Sequence, residues 1–225
     1  MTSWNVSRTS QVDPEDAPWR GEPLAPGAWR KVSAGDAAHL LDLLPLAVLE
    51  AAPFPLVTFW VRMRAQSIVC LPGWSLIEAE ICTGIGYYAI LRLLADASTV
   101  LPLDGSANPF RMAALHDFDA RKLSDGHATR QYLRVYVGSV HTDGWGFGIH
   151  GSPGSRGDGG IVVRPCDDGS AVCLTRVQHQ DQLFVARFGI STSGDVTILK
   201  DCFLGRRCVS HNQLLHGPWQ VIGLN

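Results

Sequence analysis

The sequence predicts an α+β protein, with helices mainly in the N-terminal half and an antiparallel β-sheet in the C-terminal half. Helix-start residues precede residue 126, short alternating apolar segments with turn dipeptides follow it, and 46% of the 225 residues are apolar. We expect residues 31–225 to form a single α+β domain, with a helical and strand part over 31–125 and a β-rich part over 126–225. Residues 1–30 are proline-rich and are predicted to be a flexible arm.

The predicted arm contains three tryptophans, Trp4, Trp19 and Trp29. Because an exposed indole ring is costly to hold in water, we expect these side chains to pin the arm to the folded body. The alternative is that they anchor a partner.

The folded body is predicted to begin with a short helix and two strands. Ser33 or Asp36 caps a helix that ends before Pro45. Alternating apolar residues then predict strands over 56–64 and 74–81.

Two further helices are predicted before residue 126. Residues 85–97 are nearly all apolar, which indicates a buried helix capped by Thr83. Asn108-Pro109 combines a capping side chain with a proline at the first helical position, so a helix is expected from there to about Leu123.

The β-rich part is predicted to open with a half-buried strand over 132–140, in which apolar and polar residues alternate. Residues 144–160 contain eight glycines and are expected to form a loop, or a glycine-relaxed strand followed by a loop. Asp168-Gly169 and Ser193-Gly194 are typical of hairpin turns. The remaining predicted strands are 161–164, 171–177, 183–190, 196–199 and 219–224.

Composition excludes two classes of protein. The chain has 19 Lys and Arg against 21 Asp and Glu, a net charge of −2. The apolar share of 46% excludes wholesale disorder. Because no excess of positive charge is present to neutralise phosphates, we expect no direct nucleic-acid binding.

The N-terminal residues lack the basic-then-apolar layout of a signal peptide, and no segment reaches the ~20 apolar residues of a membrane span. We therefore expect a cytosolic or nuclear protein that does not bind membranes. Its six cysteines are expected to be mostly reduced.

Motifs of nucleotide binding and nucleophilic catalysis are missing from the sequence. The glycine-rich residues 144–160 lack the Gly-Lys-Ser/Thr ending of a phosphate loop, and no Gly-x-Ser-x-Gly elbow occurs. His116 and Asp117 are adjacent, and adjacent side chains diverge on a helix or a strand, so they do not predict a catalytic dyad.

The strongest chemical pattern is a group of potential zinc ligands near the C-terminus. They are Cys202, Cys208, His211 and His216. The function that this group would support is a small metal-assisted enzyme, in which His150, His211 and His216 converge on a pocket. Their spacing matches no standard zinc finger, so the alternative is that the cysteines pack as small hydrophobic residues, as Cys166 and Cys173 are expected to. If the cysteines only pack as hydrophobic residues, no cofactor is expected.

Three segments follow one another in the order of a known family: residues 70–80 (CLPGWSLIEAE), 145–155 (WGFGIHGSPGS) and 201–223 (DCFLGRRCVSHNQLLHGPWQVIG). The first is similar to Leu-Pro-Cys-x-x-Gly-Phe-Thr-Leu-Ile-Gln-Glu of the adenovirus early region 4 34K proteins. The second is similar to their Trp-x-Leu-His-Cys-His-Cys-Ser-Ser-Pro-Gly-Ser segment. The third resembles their Val-Phe-Met-Arg-Gly-Arg-His-Leu stretch, which ends in Asp-Gly-His-Val-Gly.

This resemblance implies a viral early regulatory adaptor without a catalytic site of its own. Members of the family join the large early region 1B protein and recruit a host cullin–RING ubiquitin ligase through elongin-binding boxes. The assembled ligase marks host proteins for degradation and favours export of late viral mRNA, in the host nucleus and cytoplasm. The implied partners are therefore a large early region 1B-type protein and host cullin–RING ligase components.

Carried over position by position, the resemblance gives candidate residues for the family motifs and for a partner surface. They are Trp74, Trp145, His150, Ser152, Pro153, Gly154, Gly205, Arg206 and His216. The family's cysteines beside His150 are absent here. Leu76 is followed by Cys82, which is too distant for an elongin box.

An adaptor is expected to expose apolar side chains on a folded body. The tryptophans expected to be exposed for partner binding are Trp4, Trp19, Trp74 and Trp219. The competing enzyme class is expected to bring the histidines of the zinc group together in a pocket. A structural virion component is a third class that the sequence leaves open.

Overall fold

The computed structural model describes residues 18–53, 59–83, 88–142, 145–150, 160–206 and 213–222. The helices and the 3-10 helix are α1 (Ala34–Asp42), α2 (Leu46–Glu50), α3 (Asn108–Asp117), 3-10 (Ala120–Ser124) and α4 (Gly126–Ser139). The strands are β1 (Arg30–Lys31), β2 (Phe59–Ser67), β3 (Ser75–Thr83), β4 (Tyr88–Ala95), β5 (Val100–Pro102), β6 (His141–Thr142), β7 (Trp145–His150), β8 (Val162–Pro165), β9 (Ala171–His179), β10 (Gln182–Ile190), β11 (Val196–Arg206), β12 (Gln213–His216) and β13 (Trp219–Ile222). The chain is of the α+β class, as the sequence predicts.

The described strands form two antiparallel sheets. Sheet 1 has the order β1-β2-β3-β4-β13-β12, and β5 also pairs with β4. Sheet 2 has the order β11-β10-β9-β7-β6, and β8 also pairs with β9. The predicted antiparallel sheet of the C-terminal half is present as sheet 2, whereas sheet 1 combines the N-terminal strands with β12 and β13 from the C-terminal end.

One face of sheet 1 packs against α1 and α2. The predicted cap of α1 is confirmed, because Oγ of Ser33 accepts a hydrogen bond from the backbone N–H of Asp36 at 3.1 Å. The core under these helices contains Leu40 and Leu44 of this region with Met63 and Leu91 of the sheet. Burial of these apolar side chains holds the helices in place.

A second core lies between sheet 1, α3, α4 and sheet 2. Phe110 of α3 and Tyr132 of α4 are almost fully buried there, and their rings meet edge to face at 6.1 Å. Leu94 of sheet 1 and Ile190 of sheet 2 belong to the same cluster. Helix α4 is thus enclosed by neighbours on several sides.

Two predicted elements are wrong. Residues 85–97 were expected to form a helix, but Tyr88–Ala95 is strand β4 in the middle of sheet 1. A strand covered on both faces shows a continuous apolar run, which periodicity does not distinguish from a buried helix.

The predicted strand over 132–140 lies instead in helix α4, whose N-cap Asp125 accepts a hydrogen bond from the N–H of His127 at 2.8 Å. Since α4 is buried on several sides, Leu133, Val135 and Val137 are all covered, and their alternation imitates a strand.

The other predictions of regular structure are largely confirmed. Helix α3 begins at Asn108 close to the expected start, but the predicted capping role of Asn108 is wrong, because the N-cap is Ala107 and no side chain caps the helix. The helix ends at Asp117 and a 3-10 turn follows. Gly169 and Gly194 have φ angles of 81° and 85°, as glycines in tight turns do. Among the described helices, none is long and apolar enough to cross a membrane.

Candidate functional site: an apolar cleft beside an exposed edge strand

A cavity of about 560 Å³ lies between the C-terminal end of α4 and one face of sheet 2. We call it the apolar cleft. Tyr136, Val137 and Val140 line it on the helix side. Clefts of this volume are large enough to enclose a side-chain cluster or a small ligand.

The sheet side of the cleft comes from four neighbouring strands. Phe147 lies on β7, Val177 on β9, Phe188 on β10 and Ile198 on β11. These positions follow the alternation of strand side chains, which places every second residue on the face toward α4. The cleft therefore has an aromatic and aliphatic surface.

Strand β11 beside the cleft carries four exposed apolar side chains, of which Ile198 lines the cleft. Ile198, Leu199, Phe203 and Leu204 are exposed by 59%, 53%, 55% and 49%. The ring of Phe203 packs on that of Phe184, which lines the cleft, with their centroids 5.7 Å apart. We call these four residues the apolar edge.

Strand β11 is the last strand of sheet 2 in the described part of the chain. It pairs with β10 along its whole length, and no other described strand pairs with it. An edge strand carries a row of backbone N–H and C=O groups that can pair with an added strand. A long, apolar edge strand is unusual on an isolated domain, because it invites association.

Two irregularities in the β10–β11 pairing shape this edge. The register shifts between Arg187 and Phe188 and again between Leu183 and Phe184. Such bulges bend a strand and turn its side chains. A Cβ at Gly189 would lie 3.3 Å from Leu199, so glycine leaves Leu199 room beside the bulge.

The polar residues that line the cleft are Tyr136, His179, Thr197 and Asp201. The imidazole of His179 stacks on Phe147 with centroids 4.5 Å apart, and its Nδ1 is buried without a hydrogen-bond partner in the described part of the chain. The hydroxyl of Tyr136 lies 3.5 Å from the carbonyl oxygen of Val196, and burial raises the pKa of that hydroxyl. This mostly apolar surface suits binding better than acid–base chemistry.

The candidate motif residues are spread over both sheets. Trp145 and His150 lie on β7 and Gly205 and Arg206 on β11, whereas His216 lies on β12 of sheet 1. The predicted positions Ser152, Pro153 and Gly154 are outside the described residues.

Arg206 is exposed and pairs loosely with Asp181 at 3.7 Å. Gly205 has a φ of 148° and sits next to one of the bulges.

The expectation of exposed tryptophans is wrong at two positions. Trp74 is 4% exposed, and its Nε1 donates to the carboxylate of Asp117 at 2.9 Å. Trp219 is fully buried, and its Nε1 donates to the carbonyl of Val48 at 3.0 Å. Both indoles build the core, so Trp74 is not a partner-surface residue. Trp4 lies outside the described residues.

The predicted zinc group is only partly described. Cys208 and His211 lie outside the described residues, Cys202 is exposed on β11, and His216 lies on the other sheet. Within the ranges that the structure describes, no three His, Cys, Asp or Glu side chains gather in a way that could hold a metal ion. The metal-assisted enzyme therefore stays a prediction.

Two further sequence interpretations can be compared with the structure. Cys173 is fully buried as a small hydrophobic residue, as expected, and burial raises the pKa of its thiol to about 12, whereas Cys166 is only half-buried, contrary to the same expectation. Asp117 accepts the bond from Trp74 described above, while its neighbour His116 is exposed. The carboxylate of Asp117 therefore has a structural partner.

Comparisons with protein-family models, with curated proteins and with solved structures found no match to this chain.

Sequence reasoning missed the cleft residues. The predicted strand over 196–199 ends at the charged pair Lys200-Asp201, whereas β11 runs on to Arg206. Phe203 and Leu204 resume the apolar run just after that pair, and this was the available sign of a longer strand.

Proposed function

We propose that this protein is a non-catalytic viral early adaptor, and that the apolar cleft with the apolar edge is a surface on which it binds a protein partner. The observation that carries the proposal is the apolar edge itself: four large apolar side chains are exposed on one edge strand, and of these Ile198 lines the cavity while Phe203 packs on the cavity residue Phe184. Burying such side chains against a partner provides binding free energy.

The occupant we propose is an extended segment of the partner that adds to sheet 2 beside β11. Main-chain hydrogen bonds to the strand edge would supply affinity, and alternate apolar side chains would enter the cleft beside Ile198 and Phe203. Strand addition uses the two features that occur together here, an open strand edge and an apolar face beside it.

The resemblance of three segments to the early region 4 34K proteins supports the identity of the partners. On that basis the chain joins a large early region 1B-type protein and links targets to a host cullin–RING ubiquitin ligase. Its proposed site of action is the host nucleus and cytoplasm, and its proposed effect includes late viral mRNA export.

The test is affinity purification of the tagged full chain from host cells that also express the viral early proteins, followed by mass spectrometry. We expect recovery of a cullin, elongins and the early region 1B-type protein. The double variant Ile198→Thr/Phe203→Thr keeps strand-favouring residues but removes the apolar edge at its centre, and it should lose at least one of these proteins.

The matched control is Val162→Thr. Val162 is 65% exposed on β8 of the same sheet, away from the cleft. It should recover the same proteins as the wild type. Recovery of no ligase component by the wild-type chain would overturn the adaptor function, while equal recovery by the wild type and the double variant would overturn the assigned surface.

A further inference from the structure

The two faces of sheet 2 differ in charge beside the open edge of β11. One face lines the apolar cleft toward α4, and we call the opposite one the outer face. Residues that face each other on neighbouring strands lie on the same side of a sheet, so the register assigns each side chain to a face. Asp201 faces the buried cleft residue Ala186 and belongs to the cleft face. Lys200 faces Arg187, which in turn faces the exposed Leu174 of β9, so these three belong to the outer face.

The outer face is positively charged next to β11. Lys200 and Arg187 lie directly opposite each other, and Arg176 of β9 lies diagonally across from Arg187 on the same face. All three side chains are exposed, and we call them the basic cluster. Like charges that face each other across a strand pair are destabilising. The edge of sheet 2 therefore lacks a counter-charge on its outer face.

The carboxylates of the neighbouring described residues do not supply this counter-charge. The acidic side chains in the turns before and after β10 pair elsewhere, Asp181 with Arg206 at 3.7 Å and Asp195 with Arg111 at 3.1 Å. Asp201 lies on the cleft face. No ion pair or side-chain hydrogen bond joins the basic cluster to another residue in the described part of the chain. A bound segment with carboxylates on the outer face would provide the missing charge.

A second copy of β11 does not meet this requirement. In a symmetric antiparallel pair, residues that face each other share one side of the sheet, so Lys200 of one copy does not face Asp201 of the other. A pair centred on Lys200 or on Asp201 places that charge opposite its own counterpart. A pair centred on Cys202 places Asp201 opposite Phe203. Charged residues on an edge strand oppose self-association in this way.

We propose that the strand that adds to β11 belongs to a different protein and alternates apolar residues on the cleft face with acidic residues on the outer face. This inference rests on the proposed function, because it assumes strand addition at that edge. A carboxylate that faces Lys200 also lies near Arg187, one strand further into the sheet. The alternation of an extended strand places the apolar residues of the same segment beside Ile198 and Phe203.

The two faces contribute to binding in different ways. Burial of apolar side chains on the cleft face supplies most of the affinity. Each exposed pair of opposite charges across two strands raises the affinity by a factor of up to about five, and salt screens this effect. The basic cluster therefore selects among segments that the apolar edge is able to bind.

The test measures fluorescence anisotropy of two fluorescein-labelled peptides, one of alternating Glu and Val and one of alternating Lys and Val, titrated with the full chain at low ionic strength. We expect the wild type to bind the Glu-Val peptide at least about fivefold more tightly than the Lys-Val peptide. Lys200→Glu should abolish or reverse this preference. The matched control Lys122→Glu, at an exposed position of the 3-10 helix, should keep it.

A third peptide has the composition of the Glu-Val peptide but places its residues in pairs, Glu-Glu-Val-Val. Its side chains cannot separate onto two faces, so we expect it to bind at least about fivefold more weakly than the alternating peptide. Equal affinity of these two acidic peptides for the wild type would overturn the proposed alternation.

The apolar-edge variant Ile198→Thr/Phe203→Thr separates this inference from the proposed function. Equal affinity of the Glu-Val and Lys-Val peptides for the wild type, with both lost in this variant, would overturn the charge selection and leave the proposed surface intact. Undiminished binding of both peptides to this variant would overturn the surface and the inference together. A wild-type dimer in size-exclusion chromatography that this variant abolishes would also overturn the inference, since the occupant would then be a second copy.

Discussion

Arg64 and Glu78 face each other across β2 and β3, and Nε of Arg64 donates to Oε2 of Glu78 over 2.8 Å. The other oxygen of Glu78 accepts from Nε of Arg92 at 3.2 Å and from the N–H of Leu24 at 3.0 Å. Burial lowers the pKa of the Arg92 guanidinium, and the Glu78 carboxylate opposes that shift. One fully buried carboxylate therefore joins three parts of the chain.

Replacing Glu78 by glutamine should destabilise the protein strongly. Glu78→Gln leaves the guanidiniums of Arg64 and Arg92 buried without their counter-charge, which typically costs about 3–5 kcal/mol. The free energy of unfolding measured by urea denaturation should fall by that amount. The control is Arg111→Gln, which breaks an exposed pair with Asp195 and should cost less than about 1 kcal/mol. Equal effects of the two substitutions would contradict the assigned role of the buried carboxylate.

Two tyrosines one turn apart on α4 should respond differently to loss of the hydroxyl. The buried hydroxyl of Tyr132 donates to the carbonyl of Gly194 at 2.7 Å, so Tyr132→Phe leaves that carbonyl unpaired and should cost about 1–2 kcal/mol. The hydroxyl of Tyr136 is 3.5 Å from its acceptor beside the cleft, so Tyr136→Phe should cost less than about 0.5 kcal/mol. Thermal and urea unfolding of both variants measure this difference, and a larger loss for Tyr136→Phe would refute it.

Stability should fall at alkaline pH because of two buried thiols. Burial raises the pKa of Cys70 and Cys173 from an ordinary value of 9.0 to about 12. Above pH 9 the unfolded chain releases these thiol protons while the folded chain keeps them. The stabilisation is therefore complete below pH 9 and is lost as the pH rises toward 12.

The loss at pH 10 should be about 1 kcal/mol for each thiol. Urea unfolding between pH 8 and 10 measures it, with Cys70→Ala/Cys173→Ala as the comparison. All other titrating groups are shared, so the double variant should show a shallower decline with pH. Identical slopes for the two proteins would show that the thiols do not cause the decline.

Helix caps and turns could be predicted from the sequence, because they depend on residues within a few positions of one another. The cap at Ser33 involves a residue three positions away, and the turn at Gly194 depends on its own backbone angle. The nature of β4 and of α4 depends instead on what covers them. Both are buried by distant parts of the chain, and burial on several sides removes the periodicity that separates a strand from a helix.

The buried ion pairs of sheet 1 and the apolar cleft show the same limit. Alternate charges at Arg62 and Arg64 and at Glu78 and Glu80 are visible in the sequence, but their pairing requires the antiparallel register of β2 and β3. The cleft forms only because α4 is a helix that lies on sheet 2, whereas the sequence predicts a strand over residues 132–140. Residues far apart in the chain create both features, so no spacing rule could have located them.

A substitution that fills the cleft should weaken partner binding while leaving the stability of the fold nearly unchanged. Ala186 lies on β10, is 4% exposed and lines the cleft, so Ala186→Phe places a ring in space that the native protein leaves open. Although Ala186 belongs to the buried core, the ring can extend into the adjacent cavity, so we expect the free energy of unfolding to stay within about 1 kcal/mol of the wild type. Recovery of the proposed partner and the fluorescence of a bound apolar dye should both fall.

The control for this substitution is Ala171→Phe, at a buried position of β9 that does not line the cleft. There the ring meets packed side chains, so this variant should lose about 1–3 kcal/mol. The fluorescence of the bound apolar dye should remain near the wild-type level as long as the variant is folded. If Ala186→Phe destabilised the protein as much as the control does, the cleft would be closed in solution. If it left dye and partner binding unchanged, ligands would bind elsewhere.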